Sequence, residues 1–550
     1  MIAGVIVDLA VWGLNKELTY IVPPPLEERV RIGSIVRVPL RSRRVRGWVV
    51  SVDFPGEPPK GLVPVAAVSG RGPVFDAGLL AMARTLSRWY VQPLSSFLAL
   101  FTPVRLGRRA ALWPERHPGE RTAGSRTLLR LGPGEDPLER YAEAISAQLS
   151  GGRGAIVAVP EVREGSRVLE SLAALFPGDA AMVHTGVDPA ERSRALWSVA
   201  EGSRRLVLGG RGALFAPPMP LGTIILHQEH DPSFKHQQAP YYDAREAALQ
   251  RAEVTGADLL FASGTPSLDP SYWAGDWEVL ESDRAAERAV WPAVEVVPPP
   301  RRGLPQRAIA CLVEAARSGQ RSLILLPRVE ATVSGPGPEE LVALVSKVAP
   351  SAHITRADRP GLGEEPGALR EALKGDVVIA TEAALAEVER PAVAVAIALG
   401  VEGYFRKPKG RAAEDAFAAL WALAGLASGR KPKGRMIIEA RNPEHHAIQA
   451  VVRGDYHFFA RKELESREAA GAPPFKRLIR VQTTPQPSTE LMNQLRSLPG
   501  TVVLGPVPGG SLGAEILLKA DDLDTILDAL GTMVASSPQR VLVEVDPKDW

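Results

Sequence analysis

The chain has 550 residues, 45% of them hydrophobic and 23% charged, ordinary globular values that exclude wholesale disorder. Its length exceeds one compact core and predicts three or four domains. The single cysteine, Cys311, excludes an intrachain disulfide and any zinc site built from several thiolates, and it fits a reducing cytosol. No stretch reaches the roughly eighteen apolar residues of a membrane span. The opening MIAGVIVDLAVWG carries Asp8 and no basic lead, so it does not read as a secretory signal. The expectation is a soluble, cytoplasmic chain of several domains.

A formal net charge of +2 hides an asymmetry. Residues 1–109 hold 15 Lys/Arg against 7 Asp/Glu, an excess of +8, while the remainder is mildly acidic. A basic module on an acidic body is the electrostatic footprint of a polyanion binder. Within it, Ala3 to Val11, Leu18 to Val22, Ser34 to Pro39 and Arg46 to Val52 read as short strands broken by Gly and Pro. Between the last two lies Arg41-Ser-Arg-Arg-Val-Arg46, four arginines in six residues at an expected hairpin end. Such a run either meets phosphates bidentately or is a solvated charged tip. Leu79, Leu80, Ala83, Leu86 and Tyr90 then recur at helical spacing over Phe75 to Tyr90.

From Arg153 the pattern changes to apolar runs alternating with helices. Ala155 to Val159, Ala181 to His184, Arg205 to Leu208, Leu221 to Leu226 and Leu259 to Ala262 form a first set. Ser322 to Leu326, Asp376 to Ala380 and Ala392 to Leu399 form a second. Both predict parallel α/β layers. Strands at Leu478 to Thr483, Val502 to Leu504, Glu515 to Leu518 and Val541 to Val545 close the chain. The hexapeptide RKPKGR occurs twice, at Arg406–Arg411 and Arg430–Arg435, either as two phosphate-touching loops or by coincidence.

Ordered motifs carry a resemblance. Glu17-Leu-Thr-Tyr-Ile-Val-Pro23 with Gly33-Ser-Ile-Val-Arg-Val-Pro39, Arg88-Trp-Tyr-Val-Gln-Pro-Leu94, Gly210-Arg-Gly-Ala-Leu-Phe-Ala-Pro217, Gln228-Glu-His-Asp231 and Gly264-Thr-Pro-Ser-Leu268 occur in that order. Gly471-Ala-Pro-Pro-Phe475, Leu504-Gly-Pro-Val-Pro508 and Glu544-Val-Asp-Pro547 follow. Together they resemble the primosomal protein N-prime (PriA) family of replication-restart helicases. That resemblance implies an α/β multidomain chain. Its parts are a basic, mostly-β N-terminal DNA-binding module (1–105), a linker (106–125) and two degenerate RecA-like helicase lobes (126–300 and 301–460). A small α+β C-terminal domain (461–550) completes it, and the family's winged helix and zinc segment are missing.

The family's ATPase motifs fail in register. Leu131-Gly-Pro-Gly-Glu-Asp-Pro-Leu138 stands where the phosphate loop would be; Gly132 and Gly134 remain, but Pro137 and Leu138 replace its Lys and Thr. Its D-E-E-H motif reads His227-Gln228-Glu229-His230, and imidazole is a poor ligand for magnesium. A zinc reading of His227, His230 and Asp231 is a weaker alternative. Both motor arginines are lost, at Leu426 and Gly429, with Arg430 one residue further on. ATP, Mg and Zn are expected for the family, but the residues that bind them are gone, so no cofactor and no catalytic residue is expected. Leu18, Thr19 and Tyr20 occupy the family's 3′-end turn, with Tyr20 either a stacking ring or a strand aromatic. Arg37, Arg41, Arg43, Arg44 and Arg46 are the expected phosphate contacts. The expected partners are forked or junction DNA and the primosome or helicase-loading proteins at the nucleoid, with no membrane. The rival readings are an active 3′–5′ helicase with an unusual nucleotide site, and a pure protein-interaction scaffold.

Overall fold

The structure, a computed structural model, describes residues 1–52, 61–70, 72–106, 123–160, 166–217, 219–269, 275–327, 336–358, 368–385, 392–405, 410–484, 486–509 and 513–548. Most of the expected linker and Arg406–Lys409 of the first RKPKGR copy lie outside the described residues. The fold is mixed α/β, with four sheets in chain order.

The first sheet is antiparallel, built from β1 (Ile2–Val7), β2 (Leu18–Ile21), β3 (Ile35–Leu40), β4 (Arg43–Val52) and β5 (Ala67–Ser69) in the order β2-β1-β4-β3-β5. One face buries Val5, Val36, Val38 and Val49. The other lays Ile6, Ile35 and Trp48 against α1 (Ala77–Trp89) and α2 (Leu94–Leu98). The alternation of burial is the period-2 signature of a sheet packed on both sides.

The second sheet is all parallel, in the order β12-β6-β11-β10-β7-β9-β8. Its strands are β6 (Arg126–Arg130), β7 (Gly154–Ala158), β8 (Ala180–Met182), β9 (Leu206–Gly209), β10 (Leu221–His227), β11 (Asp258–Ser263) and β12 (Glu278–Glu281). Helices α3 (Leu138–Ser150), α4 (Arg167–Leu175), α5 (Pro189–Ala200), α6 (Ala244–Thr255) and α7 (Arg284–Val290) accompany it.

The third sheet, also all parallel, runs β13-β18-β17-β14-β16-β15. It contains β13 (Ala293–Val297), β14 (Ser322–Leu326), β15 (Ile354–Ala357), β16 (Val377–Thr381), β17 (Val395–Ala398) and β18 (Arg435–Glu439). Its helices are α8 (Gln306–Arg317), α9 (Pro338–Val348), α10 (Ala368–Ala372), α11 (Glu402–Phe405), α12 (Ala412–Leu426), α13 (His446–Arg453) and α14 (Tyr456–Ala469).

The last sheet is antiparallel, β20-β21-β19-β22, from β19 (Arg477–Thr484), β20 (Thr501–Gly509), β21 (Gly513–Ala520) and β22 (Arg540–Val545) with α15 (Thr489–Arg496) and α16 (Leu527–Ser536).

Three sequence expectations need correction. Residues 293–297, expected in the first lobe, pair with β18 in the third sheet, because the edge of that sheet is open to a parallel partner. A boundary at 460 would cut α14, whose Tyr456 and Phe459 are buried with Phe417 and Trp421 of the second lobe. The first strand stops at Val7, and β4 begins at Arg43 rather than Arg46, so Arg43 and Arg44 sit on strand while Arg41 is in the turn.

Candidate nucleic-acid interface and nucleotide cleft

The hairpin of β3 and β4 turns through Arg41 and Ser42, with Arg41 at φ 53, a left-handed conformation that favours glycine. Arg37 pairs across the ribbon with Arg46, Pro39 with Arg44, and Leu40 with Arg43. Strand alternation therefore puts Arg37, Arg44 and Arg46 on one face and Arg43 on the other. Arg37, Arg41, Arg43 and Arg44 are exposed. Arg46 is engaged: its Nε donates to Asp8 Oδ2 at 2.6 Å and its guanidinium lies 5.7 Å from the Trp48 ring.

The 3′-end positions divide. Tyr20 is 3% exposed, and its hydroxyl donates to Pro39 O at 3.0 Å. Of the two readings of Tyr20 the burial fits the strand aromatic, packed in the cluster of Val5, Val36 and Val38. Leu18 packs on the same cluster. Thr19 lies opposite Gly4, where a Cβ would collide with the Glu17 carboxylate. That carboxylate accepts a hydrogen bond from Ser51 Oγ. Glu17, two residues before Thr19 on the same face of the chain, thus places an acid beside it, a position that the Leu18–Tyr20 motif does not include.

The second sheet brings the nucleotide-motif positions together at the carboxyl ends of β6, β10 and β11, where open parallel sheets bind ligands. The loop Leu131–Pro137 follows β6 and leads into α3. Its geometry is closed from within. Gly132 N donates to Glu135 Oε2 at 2.8 Å, and Ser282 Oγ donates to the same oxygen at 3.2 Å. Glu135 N returns a bond to Gly132 O at 3.1 Å, with Gly134 at φ +76 making the turn. A side-chain carboxylate thus holds the amide that a phosphate loop would offer its ligand. Asp136 accepts from Leu138 N and from Arg167. Pro137 caps α3 with no side-chain bond, and Leu138 opens it. Arg130, the nearest cation in sequence, is 1% exposed and committed to Glu281 at 2.8 Å and Glu287 at 2.6 Å.

At the end of β10, His227 Nδ1 sits 3.0 Å from the Tyr141 hydroxyl, and His230 Nδ1 sits 2.7 Å from Ser263 Oγ. Gln228 takes the left-handed φ of 52 between them. Asp231 caps the following turn by accepting from Ser233 N at 2.7 Å. Among the described residues, no group of three or more His, Cys, Asp or Glu converges as metal ligands. Glu229 is fully buried, accepting from Ser267 N at 2.6 Å and Ser267 Oγ at 2.8 Å, with Arg245 3.8 Å away. Burial pushes its carboxyl above the usual range, against the opposing pull of Arg245 and Ser267.

Facing this edge across a cleft of about 1280 Å³ are Arg411, Glu414, Phe417 and Trp421 of the second lobe. The lobes are joined there. Tyr456 Oη donates to Pro266 O at 2.7 Å, and Glu414 bridges Leu268 N at 3.4 Å and Arg467 at 3.1 Å. Trp421 comes within 3.9 Å of the Cβ position of Gly264, and its ring lies tilted at 40° to that of Trp291 with centroids 4.3 Å apart. Leu426 lines the cleft, while Gly429 turns the chain at φ +70 and puts Arg430 beyond it. ATP with magnesium does not fit these residues. Lysine is absent from the loop, two carboxylates occupy the phosphate side, and the loop amide is already bonded.

Two parallel α/β lobes facing a shared cleft follow a basic antiparallel module at the N-terminus. A family model for the PriA 3′DNA-binding domain (3′BD) matches residues 4–103. The Replication restart protein PriA of Treponema pallidum (strain Nichols) is 25% identical, over 97% of this chain and 97% of that one. That of Bacillus subtilis (strain 168) is 25% identical over 68% of this chain and 55% of that one. The solved structure of RecG bound to a three-way DNA junction is similar at 14% identity over 64% of this chain and 44% of that one, with a TM-score of 0.42. These matches support a PriA-family protein, the likeness extending over most of the chain. Among the described residues no helix is long and apolar enough to cross a membrane.

Proposed function

We propose that the chain is a replication-restart protein that binds forked DNA and helps assemble the primosome and reload the replicative helicase without hydrolysing ATP itself. The observation that carries this reading is the Glu135 carboxylate on the Gly132 amide, a closed loop in place of a phosphate cradle. The exposed Arg37, Arg41, Arg43 and Arg44 grip the DNA backbone. Glu17, held beside Thr19 by Ser51, accepts the terminal 3′-hydroxyl of the fork. The welded lobes then serve as a rigid platform for partner proteins.

The test is a titration of a labelled fork at low and moderate salt, with ATP turnover followed in the same tube. The expected result is steeply salt-sensitive binding, weakened by a 3′-phosphate that the Glu17 carboxylate repels, and no DNA-stimulated hydrolysis. Hydrolysis that the fork stimulates and Glu229→Ala abolishes would overturn the motor-less reading. Salt-insensitive or absent binding would overturn the DNA role.

A further inference from the structure

The amino-terminal edge of the third sheet gathers cations that the fork-binding reading does not use. Backbone bonds fix that edge: Ala293 N donates to Gly434 O at 2.8 Å, Arg435 N to Ala394 O at 2.9 Å, and Ala394 N to Arg321 O at 2.8 Å. Ser322 N continues it, donating to Asp376 O at 2.8 Å. The approaches to β13, β18, β17, β14 and β16 are thus side by side. In parallel α/β topology the helices return to this same edge, so α8 delivers Arg317 and the chain after α12 delivers Lys431 and Lys433.

Arg317, Arg321, Lys431 and Lys433 are exposed, and none pairs with a carboxylate among the described residues. The edge carboxylates are already used. Glu314 pairs with Arg435 at 2.8 Å, and Asp376 accepts from His353 N at 2.9 Å. Helix C-termini attract cations on their own account, which explains Arg317 in the last turn of α8. It does not explain Arg321, which precedes a strand, nor Lys431 and Lys433, which follow α12 past the end of its last turn. With strands about 4.8 Å apart, the starts of β14 and β18 lie roughly 10 Å from each other, so Arg321 and the Lys431–Lys433 segment that leads into β18 share one edge.

We propose that this edge of the second lobe is a second DNA-backbone site, taking phosphates of a duplex arm independently of any 3′ end. It rests on the reading of the chain as a DNA binder and adds a contact away from the β3–β4 ribbon. The second RKPKGR copy is then functional in its lysines, while its Arg435 is spent on Glu314.

The test uses the full chain and a blunt duplex. Arg321→Glu/Lys431→Glu/Lys433→Glu, and a milder set with Gln at the three positions, are compared with Arg43→Ser/Arg44→Ser by the slope of log affinity on log salt. The edge variants are expected to lower the slope by about two to three, at nearly one per lost phosphate contact, with an unchanged thermal midpoint. A slope that responds only to the ribbon variant would overturn this site and leave the proposed function standing. No duplex or fork binding by the unmodified chain would overturn both. Loss of binding to poly-glutamate with duplex affinity intact would also overturn it, assigning the edge to an acidic protein.

Discussion

Glu229 is buried just past the end of β10, and its surroundings give it a structural role. Both carboxylate oxygens are bonded to Ser267, which tethers the Gly264–Leu268 segment to the end of β10. Burial raises its pKa above the ordinary 4.5. A carboxyl that holds its proton more tightly folded than unfolded stabilises the fold below the unfolded pKa, and that contribution is lost as pH rises through the folded value. Glu229→Gln removes this titration and preserves both bonds, the amide oxygen accepting from Ser267 N–H and the amide nitrogen donating to its hydroxyl. In denaturation series at about pH 5 and about pH 8, the Gln variant should therefore gain on the wild type towards the higher pH. Glu229→Ala should lose about 1–3 kcal/mol, because the buried Ser267 N–H is left unpaired. A Gln variant that unfolds as easily as the Ala variant at both pH values would show that the charge, not the bonds, holds the segment.

At the scale of elements, the β3–β4 ribbon separates arginines that look alike in sequence. Arg43 and Arg44 are exposed, whereas Arg46 is tied to Asp8 and lies by Trp48. Arg43→Ser/Arg44→Ser should lower the salt slope of fork binding by about two and leave the thermal midpoint in place. Arg46→Ser should leave the slope nearly unchanged and cost up to about 1 kcal/mol, the scale of a half-exposed ion pair. Equal slope changes in the two variants would refute the division. The same ribbon shows where the sequence was legible. Apolar β-branched runs such as Ala155–Val159 and Leu221–Leu226 announced parallel strands, since burial on both faces leaves no polar alternation to misread. Arg43–Arg46 looked like a tip because charge masks a strand whose pairing is set by β3. The edge strand β13 was misassigned because nothing in Ala293–Val297 says which of two sheets it joins. That the loop Leu131–Leu138 holds neither Lys nor Thr was readable directly. Glu135 closing on Gly132 was not, because that bond depends on a turn at Gly134 and on Ser282, distant in the chain.

Across the whole molecule, the first, second and fourth sheets share one apolar core. It runs from Ile35, Trp48 and Phe97 through Phe215 and Tyr242 to Leu518, Leu530 and Val543. Polar bonds cross the same junction: Gln92 Nε2 donates to Val543 O at 2.9 Å, Asp243 N to Tyr90 Oη at 2.9 Å, and Lys235 Nζ to Val545 O at 2.5 Å. Lys235 is 5% exposed and sits 5.0 Å from the Tyr90 ring, its pKa lowered by burial against the pull of Asp546 and Asp243. The salt bridges from Arg88 to Asp524 and Asp528 lie at the exposed rim and add little. The basic module is therefore one wall of a core that the second and fourth sheets complete. Removing residues 471–550 would uncover the face of α1 that packs on α16 and leave Lys235 without its carbonyl acceptor, a burial error of several kcal/mol. Such a truncated chain should lose amide protection in α1 and lose fork affinity together, although every ribbon arginine is intact. Hydrogen exchange and the fork titration on the same preparation decide it: full α1 protection with fork affinity retained would mean that the module folds and binds by itself, and that the shared core does not support it.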